Sequence, residues 1–212
     1  MFKLTIQIIT SKMIIGRCIM LELIFHGRGG QGAVTSSEVL ASAASKEGYQ
    51  SQAFSFFGAE RRGAPVFAFL RIDEKKILKH GMFFKADGLI VLDKGLFNFP
   101  DIGKVTVKKG GIILINTEKG NGKTLATKVK REGTTKVFSV NATKIAIDHD
   151  LVLAGWPLVN MPILGALIKI MGKPSLSSLQ EAVKEKLTGK MVESNLEAVV
   201  RAFNEVYYEG EI

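Results

Sequence analysis

Four glycines in six residues, Gly27-Arg28-Gly29-Gly30-Gln31-Gly32, form the stretch of this sequence best suited to chemistry. A short apolar run, Leu21 to His26, precedes them, and Ala33 to Ala41 follows with Val34, Val39 and Leu40 at helical spacing. A strand that meets a helix through such a turn leaves backbone N–H groups pointing outward, and the helix N-terminus adds partial positive charge. The arrangement suits an anion, usually a phosphate, because glycine lets a ligand approach the backbone closely. Gly27, Gly29 and Gly32 match G-x-G-x-x-G, so a dinucleotide site has to be weighed. A nicotinamide site also wants a carboxylate at the end of the next strand. That strand ends here in Phe54-Ser55-Phe56-Phe57, and Glu47 precedes it. Arg28 and Gln31 are also unusual in a plain dinucleotide turn. Three readings stay open: a phosphate-bearing ligand, a partner backbone, or a tight turn that holds nothing.

Other groups carry weaker signals. Arg61 and Arg62 suit bidentate contact with a phosphate or a partner carboxylate, or a local ion pair with Glu60. Asp93 ends an apolar run, where it is either functional by position or a cap or turn residue. Phe54, Phe56 and Phe57 suit an interface patch or the core. Asn160, in an apolar stretch, suits the pairing of buried backbone. Autonomous catalytic equipment is scarce. The single cysteine, Cys18, cannot hold an iron–sulfur cluster or a cysteine zinc site by itself. His26, His80 and His149 show no metal-ligand spacing, and no G-x-S-x-G elbow occurs. The net charge of +9 comes mainly from lysines scattered without the interleaved aromatics that stack bases, so nucleic acid is not the expected partner.

These residues need elements to position them. Length and 46% hydrophobic content predict one well-packed domain over 20–212, preceded by an extension over 1–19. Within that extension, residues 4–9 suit an edge strand, and Lys12 breaks any signal-type apolar centre. Strands are predicted over 49–56, 66–72, 88–93, 111–116 and 136–140, with Gly48 closing the first helix. The runs at 88–93 and 111–116 read as central strands buried on both faces. Residues 117–135 read as a mobile excursion, with a hairpin as one form. Asn141 suits a helix cap. Residues 151–168 carry no charge, but Pro157, Asn160 and Pro162 argue against a membrane span and for a buried loop leading into a helix over 161–171. Ser177 or Ser178 is the expected cap of the next helix, completed by Gln180 or Glu181. The last helix is expected over 191–208. The fold class is therefore a single three-layer α/β/α domain with a largely parallel or mixed central sheet and a Rossmann-like glycine turn after the first strand.

Phe25 to Gly32, Phe57 to Val66 and Asn160 to Ala166, with Asn195 near the end, together resemble the gamma subunit of 2-oxoacid:ferredoxin oxidoreductases, most often the pyruvate enzyme. The resemblance implies membership of a multi-subunit enzyme that decarboxylates a 2-oxoacid on thiamine diphosphate, passes electrons through iron–sulfur clusters to ferredoxin, and delivers the acyl group to coenzyme A. It implies alpha, beta and delta partner subunits that carry the thiamine diphosphate and the clusters, and a gamma subunit on the coenzyme A side. Gly27, Arg28, Gly29, Gly30, Gln31, Gly32, Arg61 and Arg62 are then the candidate cofactor-binding residues, with no catalytic and no metal-binding residue assigned. The expected location is cytoplasmic, and the isolated chain is expected to be inactive and to expose apolar surface. The competing reading is a stand-alone nucleotide-binding module of Rossmann type.

Because the resemblance starts at Met20, a chain begun there should assemble normally and keep its melting temperature. A fall of many degrees in thermal denaturation would show the extension to be an integral strand.

Overall fold

The computed structural model describes residues 20–56, 63–189 and 191–212. The extension over 1–19 with its expected edge strand falls outside them, as do Phe57, Glu60, Arg61 and Arg62 and the side chain of Phe56.

Strand β1 (Leu21–Arg28) lies inside the sheet. Its alternation sends Leu23 and Phe25 into one core and Ile24 into another, so it reads as nearly continuous apolar sequence. Strands β4 (Lys85–Val91), β5 (Thr106–Asn116) and β7 (Lys136–Val140) follow parallel to it on one side. On the other side β3 (Pro65–Asp73) is antiparallel to β1, and β2 (Gln50–Phe56) is antiparallel to β3. Short β6 (Lys130–Arg131) pairs with the start of β5, and β10 (Tyr207–Glu211) closes the far edge, giving the order β10-β7-β5-β4-β1-β3-β2. One face is covered by α1 (Ala33–Lys46), α3 (Ala142–Asp148), α4 (Asn160–Met171), α5 (Leu176–Lys186) and α6 (Met191–Glu205). The other face is thinner. Two 3-10 turns, Lys94–Asn98 and Pro100–Lys104, and the short α2 (Gly122–Ala126) lie over Phe69, Leu89 and Ile113. The result is the expected three-layer domain with a mixed sheet.

Four local expectations are corrected. Residues 117–135 form no hairpin: they fold back as α2 and as β6, which runs parallel to β5. The stretch between α3 and α4 is not buried. It forms a small hairpin of β8 (Val152–Leu153) and β9 (Trp156–Pro157) with Val152, Leu153 and Trp156 exposed. The cap of α5 is Ser175, whose hydroxyl accepts the Ser178 N–H, and the Glu47 carboxylate accepts the Ser175 N–H at 2.6 Å. That cross-chain contact outweighs the local box pattern. The last helix stops at Glu205, and Tyr207 and Tyr208 join a strand. Strand β7 would otherwise present bare N–H and C=O groups at a sheet edge, and tyrosine favours a pleated surface.

Helices α4 and α6 touch backbone to backbone. A Cβ on Gly165 would lie 2.1 Å from the Val199 carbonyl oxygen. Gly165→Ala should therefore destabilise the fold by about 1–3 kcal/mol or more, read as a lower urea midpoint at unchanged slope. Gly103→Ala, where no atom lies within 4 Å of the new carbon, is the control and should be near neutral.

Candidate functional site: the glycine turn and the crevice beside it

Strand β1 ends at Arg28 and α1 begins at Ala33, so the chain reverses within four residues. Left-handed backbone falls on Gly30 (φ +93°) and Gly32 (φ +79°), and Gly29 is not among the positive-φ residues. Gly32 is the N-terminal cap of α1, and no side chain caps that helix. The Gly29 N–H donates to Ala64 O at 2.8 Å, and its carbonyl accepts the Gly63 N–H at 3.1 Å. The Gln31 N–H returns to Arg28 O. Among the described residues, the N–H groups of Gly30, of Gly32 and of the first turn of α1 are left without such partners. No atom lies within 4 Å of where a Gly30 side chain would project, so this face of the turn is open.

The structure brings together three sequence segments here. Gly63 and Ala64 bond to Gly29, as above. A Cβ on Gly32 would come 2.8 Å from the Asn160 amide nitrogen, and the Ser36 hydroxyl proton is shared between Gly32 O at 3.0 Å and Asn160 O at 3.3 Å. Asn160 thus closes over the turn. Its backbone carbonyl is paired, whereas its side chain packs rather than satisfying buried backbone.

Arg28 is not a free anion clamp. Its Nε donates to Asp93 Oδ2 at 2.7 Å, its Nη1 to Gly63 O at 3.4 Å, and its guanidinium lies 5.1 Å from the Phe99 ring centre. Gln31 Nε2 donates to the same Asp93 oxygen at 3.1 Å, while Gln31 Oε1 accepts the Arg28 N–H at 2.8 Å. Asp93 also caps the first 3-10 turn through the Gly95 N–H. Burial alone would raise the Asp93 carboxyl, but the hydrogen bonds from Arg28, Gly95 and Gln31 outweigh it and hold the group below the usual carboxylate value. Both side chains of the turn are therefore engaged in holding its shape, and the backbone N–H groups add donors on the open side.

Beneath Arg28 on the same strand face sits His26, fully buried and stacked on Phe67 with ring centres 4.1 Å apart. Its Nδ1 lies 3.1 Å from Val66 O. A carbonyl only accepts, so Nδ1 carries the proton and Nε2 is bare. Nε2 has no partner among the described residues. Phe54 is half-buried, stacked on Phe69 against the second core.

A crevice of about 260 Å³ opens beside the turn, across the carboxyl ends of β4, β5 and β7. The chain leaves β1 toward α1 on one face and leaves β4 toward the 3-10 turns on the other. This is a switch point of the kind where open α/β sheets bind ligands. Gln31 and Asp93 form its near wall, Asn116 and Thr143 its floor, and Trp156 and Val159 its far rim. Asn116 Nδ2 donates to Leu92 O and to Thr143 Oγ1, which fixes the floor. Sequence reasoning singled out Asp93 by its place at a strand end but missed Trp156, whose signal is a lone tryptophan within the uncharged stretch. At the opposite end of the sheet, Glu22, Arg71, Lys108 and Asp87 form a fully paired ionic cluster, which fastens the strands.

Burial pushes the His26 imidazole down to about 4, against the weaker upward pull of the Val66 hydrogen bond. The unfolded chain takes up this proton near pH 6.5, so below that pH the unfolded state binds more protons and stability falls. Between about pH 6.5 and about 4 the loss from this group should be about 3 kcal/mol. Urea midpoints of wild type and His26→Gln measured at both pH values should show a smaller acid loss in the variant. Equal losses would refute it.

The family model for pyruvate ferredoxin/flavodoxin oxidoreductase matches residues 22–205. The gamma subunit common to the pyruvate and ketoisovalerate oxidoreductases of Thermococcus kodakarensis is 47% identical over 191 residues, covering 90% of this chain and 100% of that one. Pyruvate synthase subunit PorC of Methanothermobacter marburgensis is 40% identical with the same coverage. The crystal structure of the pyruvate oxidoreductase subunit PorC from Thermotoga maritima superposes with a TM-score of 0.73 at 29% identity, over 89% of this chain and 98% of that one. In fold alone, the chain also matches 30% of the 2-oxoglutarate:ferredoxin oxidoreductase chain of Magnetococcus marinus, with a TM-score of 0.65 at 20% identity. The chain belongs to the pyruvate ferredoxin/flavodoxin oxidoreductase family, as a gamma-type subunit.

Proposed function

We propose that this subunit forms the coenzyme A side of a pyruvate or related 2-oxoacid:ferredoxin oxidoreductase, packed against alpha, beta and delta subunits that hold the thiamine diphosphate and the iron–sulfur clusters, with ferredoxin as acceptor. The observation that carries this reading is the open, uncapped glycine turn at a sheet switch point. Coenzyme A is an anion-bearing thiol that accepts the acyl group. The residues fit its phosphates: the free N–H groups of Gly30, Gly32 and the start of α1 lie together, the helix dipole adds to them, and Gly30 leaves the approach clear. In this reading the chain binds and orients, and it contributes no group that exchanges protons or electrons. Arg28 and Asp93 hold the turn's shape so that its N–H groups converge before the ligand arrives. Arg61 and Arg62 lie outside the described residues and are proposed as additional phosphate or carboxylate contacts on their guanidinium chemistry alone.

Choice of oxoacid is assigned to the other subunits. The Thermococcus relative is named as common to pyruvate and ketoisovalerate enzymes, which agrees with a gamma chain that does not select between them.

The test is Gly30→Asn in the assembled complex. Asparagine tolerates left-handed backbone better than other side chains, so the fold should survive while the open face is filled. The KM for coenzyme A should rise about tenfold or more, as for one lost charge-assisted contact, while oxoacid decarboxylation without coenzyme A stays unchanged. Impaired co-purification with an unchanged KM would instead assign the turn to a partner subunit. Normal assembly with an unchanged coenzyme A response would leave it a structural turn.

A further inference from the structure

We propose that the thin face of the sheet, along α2 and β6, is a docking surface for an acidic protein that binds and leaves by charge. The proposal is independent of the coenzyme A reading, since it uses none of the residues of the glycine turn.

The net charge of +9 is unevenly placed. Residues 94–136 hold nine lysines and one arginine against three acids, so this stretch alone carries +7. Helices α1 and α3 to α6, on the other face, are balanced, with six cations against seven acids. Most of them meet in pairs: Lys46 with Glu185, Lys186 with Glu38, and Asp148 with both Lys144 and Arg201. The three acids of the basic stretch are already engaged. Glu118 holds Lys94 at 3.0 Å, Glu132 holds Lys85 at 2.6 Å, and Asp101 holds Lys104. Lys109, Lys119, Lys123, Lys128 and Lys130 are exposed, and among the described residues none of the five has an acidic partner. Unpaired charge of one sign on one face sets up a field that orients and attracts the opposite sign.

The fold arranges these cations in a row. Helix α2 packs against β5, β7 and β10, and β6 then pairs with the start of β5, so Lys119, Lys123, Lys128 and Lys130 follow one another along this face. Tyr207 on the edge strand stands at the end of the row, 39% exposed, with Lys119 Nζ 4.1 Å from its ring centre. An exposed tyrosine ringed by charge is the usual anchor of a protein contact. Glu209 beside it is turned to its own chain, where its carboxylate accepts the Gly120 N–H at 2.7 Å and the Ser139 hydroxyl at 2.6 Å. The choice of lysine narrows the partner. An ammonium is a point charge on a flexible stem and lacks the planar fork that grips one phosphate or carboxylate bidentately. The one arginine of the stretch, Arg131, is committed to the carbonyls of Ala126 and Val129. A row of such lysines suits many interchangeable carboxylates. Each exposed pair contributes little, so the row speeds encounter more than it prolongs contact. A nucleic acid would call for bases stacked along the row, which offers Tyr207 as its single aromatic.

The probe is fluorescein-labelled polyglutamate, followed by fluorescence anisotropy with the full chain and with the assembled complex. Both should bind it, with affinity falling about tenfold or more between ~50 and ~200 mM salt. Lys119→Gln, Lys123→Gln, Lys128→Gln and Lys130→Gln combined should weaken binding about tenfold or more in both. Lys75→Gln, Lys76→Gln, Lys79→Gln and Lys184→Gln combined remove the same charge from exposed lysines elsewhere and should change it by less than about twofold. Absence of binding, or equal weakening by the two sets, overturns the docking face. Binding to the chain but not to the complex overturns it too, because a permanent subunit then covers the row. Labelled polyuridylate that binds as tightly as polyglutamate, with the same loss in the first set, overturns the acidic protein and assigns the face to nucleic acid.

Discussion

Gly32 has no room for a side chain, and much of the structure around the site follows from that constraint. A Cβ there would enter the Asn160 amide group, and the backbone is left-handed. Because Gly32 is bare, the start of α4 can press against the start of α1, and Ser36 can bond the Asn160 carbonyl. That approach brings the segment that begins at Asn160 into the same corner as the glycine turn. The hairpin just before α4, with Trp156 on it, is thereby fixed at the rim of the crevice. A larger residue at 32 would push apart the two helices that begin here.

The turn is held from the other side by charge. Asp93 gathers Arg28, Gln31 and the Gly95 amide, so one carboxylate ties the end of β1 to the end of β4. With both partners partly buried, such a pair adds more definition of shape than net stability. Its effect is to hold the shape of the turn within the chain itself, which lowers the ordering cost of any contact made there. His26 adds to this corner a neutral ring locked by Val66 and Phe67.

The two cores divide the labour. The face covered by five helices is thick and carries tight contacts such as Gly165 against Val199. The face covered by 3-10 turns and a five-residue helix is thin. The exposed apolar side chains Val152, Leu153 and Trp156 stand at neither core but beside the crevice. A chain that belongs to a multi-subunit family has use for such a rim, since exposed apolar residues gathered near a site mark contact surfaces.

The sequence by itself determined most of the element order, the glycine turn, the Asn141 cap and the family, because each is written in neighbouring residues: apolar periodicity, glycine placement and contiguous motifs. It also showed, through a single cysteine, that this chain alone cannot carry a cysteine-ligated cluster. Only the tertiary structure decided that left-handed backbone falls on Gly30 and Gly32, and that Arg28 is committed to Asp93, 65 residues away. It alone decided that Ser175 rather than Ser177 or Ser178 caps α5, through Glu47. It turned the tail after Glu205 into a strand and brought the only tryptophan to the crevice. The physical reason is common to all of these. Backbone preference and hydrophobic pattern act over a few residues, whereas ion pairs, close helix contacts and sheet edges depend on which distant segments arrive at the same place.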